Sequence, residues 1–208
     1  MELEVYNIKG QKTSRTVSLD ENVFNSEPND HAIYLDAKQY LANQRQGTHK
    51  SKEKWEISAS TKKLKKQKGT GGARGGSNKS PLVKGGGRVF GPQPRDYHFK
   101  LNKKLKVVAR RSALAYKVLE NKITILEDFN FDTPKTKSYL ELLNAFSLSG
   151  QKTLLVVNDN PQNLVLSSRN IPKTKIMNAV DLNTYEILNA GYLLITEGSI
   201  KEIERINQ

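Results

Sequence analysis

The stretch TLLVV at Thr153–Val157 decides the fold class, and GYLLIT at residues 191–196 repeats its pattern. Both are short runs of consecutive apolar residues, rich in leucine and β-branched side chains, without alternation of polar and apolar positions. Because successive side chains of a strand point to opposite faces, such a run is buried on both faces. The pattern predicts strands inside a parallel sheet that helices cover on both sides.

Segments with helical periodicity separate these strands from further ones. Other strands are predicted at residues 3–8, 16–19, 123–126 and 173–177, with a turn at Gly10 between the first two. Helices are predicted at residues 29–44, 102–121, 136–146, 161–166, 181–189 and 199–206. The alternation of strands and helices predicts an α/β fold with a mostly parallel sheet covered by helices.

The predicted helix at residues 102–121 has distinct faces at about 100° per residue. One side carries mostly apolar or small residues, namely Leu105, Val108, Ala109, Ser112, Ala115, Tyr116 and Leu119. A basic stripe lies roughly opposite and consists of Lys103, Lys106, Arg110 and Lys117, while Val107, Leu114 and Val118 form a narrower apolar line. We expect this helix to contact protein on two sides and to offer cations between them.

The positive charge of the chain is concentrated in one third of its length. Residues 44–111 contain 20 of the 34 lysines and arginines but only three acidic residues, so this window is +17 while the rest of the chain is −4. The same window holds 10 of the 14 glycines. A local charge of this size indicates a polyanionic partner, with nucleic acid favoured over an acidic membrane.

The composition also limits the possible chemistry. The chain has no cysteine, so we expect neither disulfides nor a thiolate metal site, and its three histidines lack zinc-ligand spacing. No run of about 20 apolar residues predicts a membrane span, and the charged, alternating start MELEVYNIKG is unlike a signal peptide. We therefore expect a cytoplasmic protein with no cofactor and no membrane partner.

Regular periodicity stops between the predicted helices at residues 29–44 and 102–121. Lys, Gly, Ser, Thr and Pro dominate this part of the chain, and such a composition cannot bury enough surface to fold alone. We predict a globular α/β domain of residues 1–44 and 98–208, with a long, extended, basic arm of residues 45–97 inserted between two helices. A solvated loop without a partner is the alternative. An arm that becomes ordered on a polyanion is favoured, because disordered linkers rarely mix Trp, Val, Phe and Pro with so much glycine.

The residue types of this arm suit RNA. Lysine and arginine neutralise phosphates and release counterions, glycine lets the backbone approach closely, and aromatic rings stack on bases. The residues that we expect to contact RNA are Arg45, Gln46, Thr48, Lys50, Lys52, Lys54, Trp55, Lys62, Lys63, Lys65, Lys66, Gln67, Lys68, Gly69, Thr70, Gly71, Arg74, Ser77, Lys79, Ser80, Lys84, Arg88, Phe90, Arg95, Tyr97, Lys103, Lys104, Arg110 and Arg111.

Two sets of these candidates have a second interpretation. Trp55 has acidic neighbours, so it either anchors the base of the arm against protein or stacks on a base. The helix cations Lys103, Lys104, Arg110 and Arg111 either contact phosphates or form a solvated helix face.

Motifs for nucleotide binding and catalysis fail on inspection. Gly71 and Gly76 have the spacing of a phosphate-binding P-loop, but Ser77 stands where the motif requires lysine. Asp159 and Asn160 follow the TLLVV strand, where α/β enzymes place active residues, but both residue types are ordinary turn formers. An α/β enzyme acting on RNA is therefore a disfavoured alternative, and we predict no catalytic residues.

Several long motifs resemble one known family. They are RQGTHKSK at residues 45–52, QKGTGGARGGSNKSP at 67–81, GGGRVFGPQPRDY at 85–97, NKKLK at 102–106 and PKTK at 134–137. In order and spacing they are similar to the bacterial large-subunit ribosomal protein L-four family, the universal uL-four family. The resemblance spans essentially the whole chain.

The resemblance implies a structural constituent of the large ribosomal subunit that binds 23S rRNA and supports subunit assembly and translation. It implies that the arm enters the rRNA core and helps line the polypeptide exit tunnel with a tip formed by Lys68, Gly69, Thr70, Gly71, Gly72 and Arg74. The implied neighbours are other large-subunit proteins, including the L-twenty-two protein, and the passing nascent peptide, but not a second copy of the chain. Magnesium ions nearby would belong to the rRNA and have no protein ligands. Some family members also repress their own operon by binding its mRNA leader, which stays open as a secondary role.

Overall fold

The computed structural model describes residues 1–159 and 161–207. The chain forms two units. Met1–Leu41 and the described residues from Lys100 onward form the globular unit, and Ala42–Phe99 form the basic unit. The second is somewhat wider than the predicted arm of residues 45–97.

Strands and helices alternate along the described part of the chain. The strands are β1 Glu2–Tyr6, β2 Lys12–Ser18, β3 Ile123–Leu126, β4 Thr153–Val157, β5 Thr174–Asn178 and β6 Tyr192–Thr196. The helices are α1 Glu21–Phe24, α2 Asp30–Asn43, α3 Lys103–Leu119, α4 Thr136–Ala145, α5 Gln162–Ser168, α6 Thr184–Asn189 and α7 Glu197–Asn207, with a 3₁₀ turn at Ala179–Asp181.

The six strands form one sheet in the order β2-β1-β3-β6-β4-β5. Only β2 is antiparallel, because the short turn at Gly10 joins it directly to β1, whereas helices carry the chain between the other strands and leave them parallel. The α/β class and the mostly parallel sheet are therefore confirmed.

Strand β4, which lies between β6 and β5, is buried along its whole length, as the TLLVV pattern predicts. Leu154 and Val156 join the core that α1, α3, α6 and α7 cover on one face of the sheet. Leu155 and Val157 join the second core, under α4 and α5 on the other face. The parallel register sets Leu155 beside Leu194 of β6, so apolar side chains continue across the sheet.

Two local features differ from the sequence prediction. Helix α1 was not predicted; its N-cap is Asp20, whose side chain accepts a hydrogen bond from the Asn22 N–H. The single helix predicted at residues 181–189 is wrong, because a 3₁₀ turn comes first and α6 begins only after Asn183. The side chain of Asn183 accepts from the Glu186 N–H at 2.9 Å and so fixes this later start.

The predicted faces of α3 are partly wrong. Leu119, predicted on the apolar face, is 65% exposed, whereas Ala109, Ser112 and Ala115 of that face and Leu114 of the narrower apolar line are buried as predicted. Lys117, predicted on the basic stripe, is buried and donates a 2.8 Å hydrogen bond to the Ala190 carbonyl. Burial disfavours its charged form and lowers the pKa of Lys117. The helix packs against α1, α6 and α7, and their positions decide which side is buried.

Replacing Leu155 by alanine should lower the free energy of unfolding by about 2–5 kcal/mol, because loss of this fully buried side chain leaves a cavity in the core under α4 and α5. Urea unfolding followed by far-UV circular dichroism measures this. Leu119→Ala at the end of α3, where the side chain is 65% exposed, is the matched control and should change stability by less than about 0.5 kcal/mol. Equal losses for the two variants would contradict the assignment of β4 to the core.

Candidate nucleic-acid interface

Two antiparallel passes of chain run side by side in the basic unit. The N–H of Arg95 donates to the Gly47 carbonyl at 3.1 Å, and the N–H of Arg88 donates to the Lys52 carbonyl at 2.9 Å. Further along, the N–H of Leu64 donates to the Gly76 carbonyl at 2.9 Å. The paired positions converge, so the QKGTG motif lies in the turn that reverses the chain.

Glycine is required where the two passes touch. A Cβ atom at Gly87 would lie 2.4 Å from the backbone nitrogen of Lys54, and one at Gly47 would lie 2.0 Å from the Arg95 carbonyl oxygen. Gly47 also has a φ of +67°, which disfavours other residues. These glycines allow the backbones to approach closely enough to hydrogen-bond.

The reversing turn is exposed to solvent along its whole length. Every residue from 61 to 74 is exposed, and Gly69 and Gly71 have positive φ values with no atom within 4 Å of the point that a Cβ would occupy. Glycine at positions 69 and 71 therefore allows a positive φ, whereas glycine at positions 47 and 87 allows the two passes to lie close together. The proposed tip residues Lys68, Gly69, Thr70, Gly71, Gly72 and Arg74 all lie in this turn.

The cations of the turn have no acidic partner among the described residues. Six basic side chains are exposed there, namely Lys62, Lys63, Lys65, Lys66, Lys68 and Arg74, and none forms an ion pair among the described residues. The ion pairs of this unit, Lys50 with Glu56 and His98 with Asp96, lie away from the turn. Mutual repulsion of the cations favours an external polyanion.

A stacked cluster organises two arginines at the open end of the unit. The guanidinium carbons of Arg45 and Arg95 lie 3.8 and 4.4 Å from the ring centroid of Tyr97. His49 stacks on the same ring at a centroid distance of 5.9 Å, and its Nε2 lies 3.2 Å from the Tyr97 hydroxyl. Stacking engages the guanidinium face and leaves N–H groups in its plane for phosphate. Both arginines line a cleft of about 470 Å³ together with Thr48.

Trp55 does not anchor the arm in a protein core. The residue is 71% exposed, and its indole N–H donates to the Glu53 carboxylate at 2.8 Å. Phe90, on the returning pass, is fully exposed. Of the two interpretations of Trp55, exposure favours contact with an external partner.

The cations of α3 divide into two groups. Lys103 and Lys104 are exposed at its first turn. Arg110 donates to the Asn207 side chain at 2.9 Å, and Arg111 donates to the Asn207 carbonyl at 2.6 Å. Both arginines therefore hold the end of α7, and their contact with RNA stays a prediction.

The carboxyl edge of the sheet has a cleft of about 460 Å³ that includes Asp128, Asp159 and Thr196. The Asp128 carboxylate is already engaged, because it accepts the Gly198 N–H at 3.0 Å where α7 begins. Asn160, weighed above as a turn former beside Asp159, lies outside the described residues. Among the residues that the structure describes, no group of three or more His, Asp or Glu side chains is placed to hold a metal ion.

No helix within residues 1–159 and 161–207 is both long and apolar enough to cross a membrane.

Sequence reasoning missed Glu53 as a member of this surface. Its carboxylate accepts from the Trp55 indole and from the Gln93 amide, so it joins the outgoing pass to the returning one. The available signal was an acidic residue beside the chain's single tryptophan inside a strongly basic segment. The contact with Gln93, 40 residues away, had no signal in the sequence.

An α/β unit with an inserted, exposed, glycine-rich and strongly basic segment is typical of proteins that bind polyanions. Comparison with known proteins identifies the family. A family model described as "Ribosomal protein L4/L1 family" matches residues 17–206. Relatives named "Large ribosomal subunit protein uL4" from Bacteroides fragilis and Phocaeicola vulgatus are 56% and 57% identical over 206 residues, 99% of each chain. A relative of the same name from Cytophaga hutchinsonii is 55% identical over the same length and share.

The chain therefore belongs to the ribosomal protein L4/L1 family. The resemblance noted from the motifs is confirmed. As a member of this family the chain is a structural ribosomal protein and not an enzyme.

Gly87→Ala should separate the two passes, because the new Cβ would lie 2.4 Å from the Lys54 nitrogen. Loss of the adjacent hydrogen bond from Arg88 to Lys52 should make trypsin cleave after Lys52 and Arg88 roughly fivefold faster, as expected for about 1 kcal/mol of local stability. Gly76→Ala is the control, since nothing lies within 4 Å of its Cβ position. Identical cleavage rates for both variants would refute the requirement for glycine at position 87.

Proposed function

We propose that this chain is a constituent of the large ribosomal subunit and that its basic unit binds 23S rRNA. The observation that carries the proposal is the exposed turn at residues 61–74, whose six cations have no ion-pair partner among the described residues. The curated relatives named as large-subunit proteins align over 99% of the chain, including this turn. The phosphates of rRNA would supply the missing counter-charge.

The geometry of the basic unit suits insertion between RNA segments. The turn is rich in glycine, lacks a protein core and has every residue from 61 to 74 exposed, so RNA can surround it. The family resemblance of the motifs in this turn implies a position near the polypeptide exit tunnel, which supports the next proposal. We propose that its tip helps to line the tunnel, beside the L-twenty-two protein and the passing nascent peptide.

The stacked arginines would add a second set of phosphate contacts at the other end of the basic unit. Arg45 and Arg95 are pre-positioned by Tyr97, which reduces the side-chain entropy lost on binding. The globular unit would then lie against neighbouring large-subunit proteins, as a single copy in each subunit. Its role would be to support subunit assembly and translation in the cytoplasm, and magnesium would belong to the rRNA.

Neutralising three turn cations in Lys65→Gln/Lys66→Gln/Lys68→Gln should weaken binding of a 23S rRNA transcript and flatten its salt dependence. The slope of log K against log salt should fall in magnitude by about 2–3, because each lost phosphate contact removes about 0.7–0.9. Filter binding across a salt series measures this.

The matched control replaces three exposed lysines of the globular unit, in Lys9→Gln/Lys173→Gln/Lys201→Gln. It changes the net charge by the same amount and should leave the slope close to that of the wild type. Equal slopes for the two triple variants would show that net charge alone, and not the turn, governs binding. That result would overturn the proposed interface.

A further inference from the structure

The basic unit contains an aromatic cleft that phosphate binding does not explain. Trp55 on the outgoing pass and Phe90 on the returning pass both line one cavity of about 620 Å³, and they are 71% and 103% exposed. Large apolar side chains that share an exposed concave site indicate a binding function, whereas isolated exposed apolar residues are common. A volume of this size falls in the range of sites for small organic groups.

Phe90 is held in an unusual backbone conformation. Its φ of +53° lies in the left-handed region, which bulky residues rarely adopt. The backbone is fastened to the outgoing pass on both sides of it, by Arg88 N–H to the Lys52 carbonyl at 2.9 Å and by Ser51 N–H to the Pro92 carbonyl at 3.0 Å. The anchored backbone at Arg88 and Pro92 therefore holds the phenyl ring in solvent.

Trp55 is positioned by a separate set of contacts. It lies in a turn closed by the Glu56 N–H, which donates to the Glu53 carbonyl at 3.0 Å. The indole N–H donates to the Glu53 carboxylate at 2.8 Å, and the Lys50 ammonium lies 5.5 Å from the ring centroid. Glu53 also accepts from the Gln93 amide on the returning pass, so one carboxylate links both walls of the cleft.

The charged and polar groups around the two rings indicate which kind of apolar molecule the cleft would bind. Cationic and polar groups complete the lining, among them Arg88, Lys54 and Gln93. The whole basic unit has fourteen lysines and arginines against three acidic residues, so an occupant with its own negative charge is favoured. An aromatic ring attached to phosphates meets both demands, and a nucleobase is such a ring.

We propose that the cleft between Trp55 and Phe90 binds one unstacked base of a single-stranded RNA segment, with Arg88 and Lys54 on the flanking phosphates. This inference rests on the proposed RNA-binding function and adds a base site to it. Stacking tolerates any base, so the cleft would select single-stranded over double-stranded RNA and not a particular sequence.

Trp55 reports directly on this site, because it is the chain's single tryptophan. The full-length protein would be titrated with an oligouridylate of about ten nucleotides and, separately, with inorganic polyphosphate of equal charge. We expect saturable quenching of Trp55 fluorescence by the oligouridylate and no comparable quenching by polyphosphate. Equal spectral changes with both would overturn the base site.

Substitution at Phe90 tests the second wall. Phe90→Leu should weaken oligouridylate binding roughly tenfold, within the range of one lost stacking contact, and leave polyphosphate binding unchanged. Leu82→Ala removes another fully exposed apolar side chain outside the cleft and should change neither. Trp55→Phe should retain oligouridylate affinity that Trp55→Leu loses, which separates stacking from simple apolar contact.

The two proposals fail in different ways. If Phe90→Leu and Trp55→Leu bind oligouridylate like the wild type while 23S rRNA still binds with a steep salt dependence, the base site is wrong and the proposed function stands. If the wild-type protein does not bind the 23S transcript, the proposed function fails and the base site fails with it. If the cleft instead binds an apolar protein segment, the Phe90→Leu and Trp55→Leu variants would bind oligouridylate like the wild type, and the base site would be wrong.

Discussion

Unneutralised positive charge is the constraint on which the rest of this structure depends. The basic unit has fourteen cations and three acids, and the cations of its turn have no ion-pair partner among the described residues. Such a segment cannot be folded into an apolar core, because burial of unpaired charges is too costly. It therefore lies in a unit of its own, inserted between two helices of a globular unit that is slightly acidic outside residues 44–111.

The basic unit is organised by backbone contacts and not by a hydrophobic core. Gly47 and Gly87 let two passes of chain approach and hydrogen-bond, while the arginines on Tyr97 are ordered by stacking. Backbone hydrogen bonding between the passes and stacking of arginine on tyrosine are both compatible with a high positive charge, since neither removes a cation from water. Aromatic side chains can then remain exposed at Trp55 and Phe90, where a partner can reach them.

Lysine and arginine have another role in the globular unit. Lys117 is buried against the Ala190 carbonyl, and Arg110 and Arg111 hold the last residues of α7. Their long side chains satisfy carbonyl and amide groups at the ends of helices, which would otherwise lack partners. The basic residues in the second half of α3 thus stabilise the globular unit. Lys103 and Lys104, at the start of the helix, are exposed and available to a partner.

The sequence by itself determined the α/β class, most of the strands and helices, the position of the basic segment and the family. Each of these depends on local pattern: TLLVV is buried on both faces wherever it is placed, and a dense run of cations and glycines cannot form a core. Only the tertiary structure decided that Lys117 is buried and Leu119 exposed on α3, that Arg110 and Arg111 reach α7, and that Trp55 and Phe90 share a cleft. These outcomes depend on contacts between residues far apart in the chain, such as Glu53 with Gln93, and local periodicity contains no information about them.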